Sequence, residues 1–265
     1  MNNRPIGVFD SGLGGLTVVK ELKKTLPRES IVYFGDTARL PYGVKSKDLV
    51  QQYSIQITKF LIQNDAKIII IACNTATAMA LSTLKIKFSD IPIIGVIEPG
   101  VKQAILKTNN KNIGVIGTIA TISSDAYKKS IKRIDSDINV ISKACPLFVP
   151  FVEEGLIIGT AISEITAYYL SIFKNNVDTL ILGCTHYPLL KNIISKETKH
   201  ITLVDSASAV AKNAYKSLKE NSLLNMDDKP GVLQCYVTDL PMRFEELGNI
   251  FLGSKINNMH LVNDL

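Results

Sequence analysis

The stretch Ile68-Ile69-Ile70-Ile71-Ala72-Cys73-Asn74-Thr75-Ala76 decides the fold. A strand with one wet face alternates apolar and polar residues, but Ile68–Cys73 does not alternate. Such a run is buried on both faces, as strands of helix-covered parallel sheets are. From Thr75 to Lys87 the pattern changes to a helical period, so the cysteine falls at a strand-to-helix junction. Upstream, Ile6–Asp10 and Ile31–Asp36 read as strands, with helices over Leu16–Leu26 and Ser46–Gln63. Downstream, Ile91–Ile97 reads as the next strand. Strands alternating with amphipathic helices define βαβ units and an α/β fold.

The second half repeats the plan. Strands are expected at Asn112–Gly117, Asn139–Ser142, Thr179–Gly183 and Ile201–Asp205, and helices at Ser124–Ile131, Ile158–Asn175 and from Pro188. Ile6-Gly7-Val8 matches Ile113-Gly114-Val115 at an offset of 107, and Ile70–Cys73 matches Ile181–Cys184 at 111. Gly95-Val96 sits opposite Leu203-Val204 at 108. Matches in one order at nearly one offset imply two similar parallel-sheet lobes related by pseudo-symmetry. Residues 1–97 with 207–265 form the expected first lobe, and 98–206 the second. Ligands of open parallel sheets bind at the carboxyl ends of the strands. Both lobes therefore present a cysteine to one cleft, each at a helix start that favours a thiolate.

Composition limits the function classes. The 265 residues are 46% hydrophobic and 20% charged, which suits globular cores and excludes disorder. The N-terminal segment lacks the apolar core of a secretory signal, no stretch reads as a membrane span, and a cytoplasmic location is expected. Cys73, Cys145, Cys184 and Cys235 are too dispersed for a disulfide framework, and no C-x-x-C pair marks a zinc site. The net charge is +6, but 25 of 30 basic residues are scattered lysines. That is a solvated surface rather than an arginine-and-aromatic groove for nucleic acid.

Gly7–Thr17 reads as a strand, a glycine-rich turn and a helix start. It fails as a dinucleotide fingerprint, because Thr17 stands where the third glycine belongs. What remains is a set of backbone N–H groups beside Asp10 and Ser11, suited to an anionic or zwitterionic ligand unless either residue only caps the helix. Gly35–Gly43 adds a turn carrying Tyr42 and Gly43. The strongest pair is Cys73-Asn74-Thr75 with Cys184-Thr185-His186, at matched positions of the repeat. Cys145 and Cys235 lack such neighbours and read as core residues.

Asp10-Ser11-Gly12, Gly35–Gly43, Cys73–Ala76, Glu153-Glu154-Gly155 and Gly183–Pro188 together resemble the signatures of the bacterial glutamate racemases, in order and spacing. The likeness runs through Tyr236–Gly253, with a departure at Val237–Leu240, where a Thr-Gly-Asp version is more typical. The resemblance implies cofactor-independent inversion of glutamate by two cysteine bases, with no metal, supplying D-glutamate for peptidoglycan. By that resemblance Cys73 serves D-glutamate and Cys184 serves L-glutamate, assisted by Asp10 and His186 respectively. It places Asp10, Ser11, Tyr42, Gly43, Asn74, Thr75, Thr185 and His186 around the substrate. Thr118 and Thr121 are expected to donate hydrogen bonds, and Glu153 to act on His186 from behind. It also implies a homodimer. A racemase of aspartate would keep both cysteines, a non-enzymatic amino-acid-binding module would need neither, and a Cys-His hydrolase would need one.

Overall fold

The computed structural model describes residues 2–239 and 244–263. Ten strands are present among them: β1 Ile6–Asp10, β2 Ile31–Gly35, β3 Ile68–Ile71, β4 Ile93–Gly95, β5 Asn112–Gly117, β6 Asn139–Ala144, β7 Thr179–Gly183, β8 Thr202–Val204, β9 Leu233–Val237 and β10 Met259–Leu261. They form two sheets, ordered β10-β9-β2-β1-β3-β4 and β6-β5-β7-β8, with every pairing parallel. The order β2-β1-β3-β4 is repeated as β6-β5-β7-β8. The offsets in the sequence are therefore those of a structural repeat, with β1 matching β5 and β3 matching β7.

All four isoleucines of β3 are fully buried. Each contributes roughly 1.5–3 kcal/mol of burial, which explains the continuous apolar run. The Lys47–Gln63 and Asn74–Lys87 helices pack on each other over one face of the first sheet. The Leu16–Thr25 and Ala207–Glu220 helices pair on the other side. The Ile97–Lys107 helix packs against β7, β8 and the Ala126–Ile134 helix.

Some element bounds differ from expectation for local reasons. The expected strand Ile91–Ile97 is cut to Ile93–Gly95, because Ile97 already begins a helix. The expected helix Ser124–Ile131 is observed as Ala126–Ile134, set off by Asp125 with φ 56° from a separate Ile119–Ser123 helix. Past Cys184 the chain makes a 3-10 turn at Tyr187–Leu190 before the Lys191–Glu197 α-helix, so Cys184 does not sit at an α-helix N-terminus. The final strands β9 and β10 extend the first sheet beyond β2. The segment leading to β9 is fastened underneath, where Asn225 N–H donates to Glu29 (2.7 Å) and Gly231 N–H to the Pro27 carbonyl (2.9 Å). Among the described residues, no helix is long and apolar enough to cross a membrane.

Candidate active site

A cavity of about 220 Å3 lies where the carboxyl ends of the two sheets face each other. One side is built from Ser11, the Leu40–Val44 loop and Cys73-Asn74-Thr75, the other from Thr118, Ile119, Glu153 and Cys184-Thr185-His186. Leu40, Pro41, Val44, Ile119, Val149 and Pro150 give it apolar walls that were not foreseen. Its volume is below the roughly 300–1,000 Å3 of drug-sized pockets and fits a small metabolite. Asp10 and Thr121 do not line it. They stand buried behind Cys73 and Thr75 respectively.

The two cysteine environments are built differently. Cys73 is the N-cap of the Asn74–Lys87 helix, and its sulfur accepts from the Ala76 N–H at 3.4 Å. Its Sγ is 3.7 Å from Ser11 Oγ. Burial pushes the Cys73 thiol up to about 12, with the Asp10 charge adding, and outweighs the lowering by the Ala76 N–H and Ser11. The helix start alone thus leaves a thiol, contrary to the thiolate expected there.

Asp10 is fully buried, and its Oδ2 accepts from the Gly12 N–H at 3.1 Å. Oδ1 has no hydrogen-bond partner among the described residues. Burial raises the Asp10 pKa, while His186 and the turn's N–H groups lower it. Asp10 is not a helix cap, because Gly15 holds that position without a side-chain bond.

Cys184 Sγ lies 3.9 Å from His186 Nδ1, and His186 Nε2 lies 3.2 Å from Glu153 Oε1. Burial alone would lower the imidazole pKa, but the hydrogen bonds and charges of Cys184 and Glu153 reverse this and raise it to about 10. His186 is therefore a protonated ring between a sulfur and a carboxylate at neutral pH. Phe251 packs edge-on against it at 5.2 Å.

Several contacts join the lobes beside the cavity. Thr75, Thr118 and Thr121 bring three hydroxyls together, with Thr75 Oγ1 3.0 Å from Thr118 and 3.2 Å from Thr121. Gly14 faces Thr185 and His186 so closely that a Cβ would stand 2.2 Å from Thr185 Oγ1 and 2.6 Å from His186 Nδ1. Only a glycine allows this approach.

Tyr42 and Gly43 were foreseen, but the residue that holds them was not. The Tyr42 hydroxyl donates to buried Asp36, whose carboxylate also takes Arg39 Nε (2.8 Å) and Thr238 Oγ1 (3.0 Å). The departure segment thus supports the Tyr42 loop from behind. Leu240, the last residue of that segment, lies outside the described residues. Tyr33 was also missed. Its buried hydroxyl donates to the Gly12 carbonyl at 2.6 Å and fixes the turn around Asp10. The Tyr33–Gly12 and Thr238–Asp36 contacts join positions 21 and 202 residues apart, and the only local sign of the first was a tyrosine inside an apolar strand. Cys145 and Cys235 are buried, and burial raises both thiols to about 12.

Paired titratable groups on opposite walls of a small cleft have the arrangement that proton transfer at a bound small molecule requires. Residues 6–214 match the family described as Asp/Glu/Hydantoin racemase. A glutamate racemase of Geobacter metallireducens is 47% identical over 262 residues, covering 98% of this chain and 96% of the relative. A glutamate racemase structure from Francisella tularensis in complex with D-glutamate has a TM-score of 0.94 and 44% identity, covering 99% and 98% of the two chains. The RacE1 isoform of glutamate racemase from Bacillus anthracis superposes with a TM-score of 0.94 at 39% identity, over 99% and 98% of the chains. The chain belongs to the Asp/Glu/Hydantoin racemase family, in its glutamate racemase group.

Proposed function

We propose that the chain interconverts L- and D-glutamate without a cofactor, using Cys73 and Cys184 as bases on opposite faces of the α-carbon. The observation that carries this reading is two buried cysteines entering one cavity from two sheets, each with a polar side chain beside its sulfur, Ser11 Oγ at 3.7 Å and His186 Nδ1 at 3.9 Å. Inversion requires a proton to leave one face and another to arrive on the other. Two fixed groups do this without either crossing the plane.

In the L-to-D direction the Cys184 sulfur takes the Cα proton, and the Cys73 thiol delivers its proton to the opposite face. Cys184 ends as thiol and Cys73 as thiolate, and the next turnover runs in reverse or exchanges protons with solvent. His186 balances charge at Cys184, and Asp10 handles the proton at Cys73. The carbanion is stabilised by donors in a dry cleft and by the retained ammonium. Ser11, Tyr42, Gly43, Asn74, Thr75, Thr118, Thr185 and His186 hold the substrate, Thr121 supports the Thr75 and Thr118 hydroxyls from behind, and Glu153 orients His186.

The reading extends to a cytoplasmic homodimer supplying D-glutamate for peptidoglycan. It also divides the chain into lobes of residues 1–97 with 207–265, and 98–206. Its likeness to a relative crystallised with D-glutamate supports glutamate as the substrate. Circular dichroism of D- and L-glutamate incubated separately tests the reaction, with both aspartate enantiomers as controls. Both glutamate solutions are expected to reach the same racemic endpoint, with solvent deuterium entering Cα. Activity only with added pyridoxal phosphate, or racemisation of aspartate alone, would overturn the proposal.

A further inference from the structure

Asn74 opens the helix after Cys73, is almost fully buried, and lines the cavity. A side-chain amide in such a place can turn either its carbonyl or its NH2 group toward a ligand. For a substrate with two carboxylates the choice matters, since the carbonyl repels and the NH2 group binds.

The choice is made from the other lobe. Tyr127, on the Ala126–Ile134 helix, is buried, and its hydroxyl donates to Asn74 Oδ1 at 2.6 Å. A buried phenol has one hydrogen to place, and an amide has one acceptor atom to receive it. The reversed amide would donate to the phenol oxygen and leave the phenolic hydrogen buried without an acceptor. With Oδ1 engaged, the Nδ2 arm is what Asn74 offers the cavity, and no described group accepts from it. Burial, reinforced by the Cys184 charge, raises the Tyr127 pKa, so the phenol keeps its hydrogen across the working pH range.

The approach of Tyr127 is itself built. Its ring lies against the end of β7, where a Cβ on Gly183 would come within 3.0 Å of Tyr127 Cε2 and 2.6 Å of the Ile116 carbonyl oxygen. Gly183 directly precedes Cys184. The phenol thus packs beside the strand of one cysteine and hydrogen-bonds the chain neighbour of the other. We infer that Tyr127 is a positioning residue for substrate binding, locking the Asn74 amide so that its NH2 group faces a substrate carboxylate. This rests on the glutamate reading of the cavity.

The test is Tyr127→Phe, which removes one oxygen and keeps the ring, assayed with both enantiomers alongside the unsubstituted protein. KM is expected to rise about tenfold for D- and L-glutamate, the worth of one hydrogen bond, with kcat changed less than about threefold. The double variant Asn74→Ala with Tyr127→Phe should bind no worse than Asn74→Ala alone. An unchanged KM in Tyr127→Phe, or KM effects that multiply in the double variant, overturns the inference while the racemase reading stands.

Should Tyr127→Phe not fold, Asn74→Asp decides. One carboxylate oxygen keeps the Tyr127 bond and the other meets the substrate carboxylate, so a folded protein with KM raised about a hundredfold is expected. A KM within about threefold of the unsubstituted value overturns the inference. Absence of glutamate racemisation in the unsubstituted protein overturns the substrate reading and this inference together.

Discussion

The ends of β3 and β7 occupy matching places in two sheets of one strand order, yet their cysteines are served by opposite chemistries. Cys73 has a carboxyl behind it, a serine at 3.7 Å, and burial that keeps it a thiol. Cys184 has an imidazole at 3.9 Å, backed in turn by Glu153. Symmetry of fold thus carries asymmetry of charge. One end is dressed to hold a proton, the other sets a cation beside the sulfur. In the two-base reaction proposed above, a loaded Cys73 is the state from which L-glutamate is converted.

Removing either cysteine should break the comparison outright. Cys73→Ala and Cys184→Ala are each expected to lower racemisation by about 10⁴-fold, read by circular dichroism, with thermal unfolding little changed. Asp10→Asn and His186→Asn should separate the two ends, each lowering kcat/KM about 10²-fold. The enantiomers have equal energy in solution, so kcat/KM must fall equally in both directions. The difference appears in the Cα deuterium isotope effect. It should grow for D-glutamate in Asp10→Asn and for L-glutamate in His186→Asn, and equal growth in both would mean the ends are not distinct.

Gly14→Ala is expected to push Thr185 and His186 away from the first lobe. It should cost about 1–3 kcal/mol of stability by denaturant unfolding and raise KM several-fold. The smallest effect is expected at Glu153→Gln, which removes one charge that keeps His186 protonated. The folded pKa of His186, about 10, is above its ordinary value of 6.5. Its contribution to stability is therefore complete below about pH 6.5 and lost as pH rises through about 10. Glu153→Gln should move that alkaline decline down by about one unit, in both the kcat profile and the melting temperature.

The readable parts of the chain were those written locally. Ile68–Ile71 declared a doubly buried strand, and the repeat at Cys184 declared a second lobe, because both patterns lie within a few residues. The helix at Ile97–Lys107 was missed because Pro99 and Gly100 obscure its period. Strand β9 was missed because only Cys235 and Val237 of its five residues are buried. Glu153 was visible only through family resemblance, since its partner His186 lies 33 residues away. Tyr127 and Asn74 are 53 apart, and nothing around a Tyr on an amphipathic helix announces such a bond. Long-range polar contacts are fixed by how the lobes dock, which no local period encodes.

The two sheets also differ in how much of the chain each must gather. The smaller sheet closes within the continuous stretch from Asn112 to Val204. The larger runs from Ile6 to Leu261, and β2 finds its second neighbour only at Leu233–Val237. On a ribosome, the half bearing Cys184 can assemble while the half bearing Cys73 still has an open edge. The Tyr42 loop receives Thr238 only when that edge is filled. The wall of the cavity that carries Tyr42 is therefore the last to gain all its neighbours in chain order.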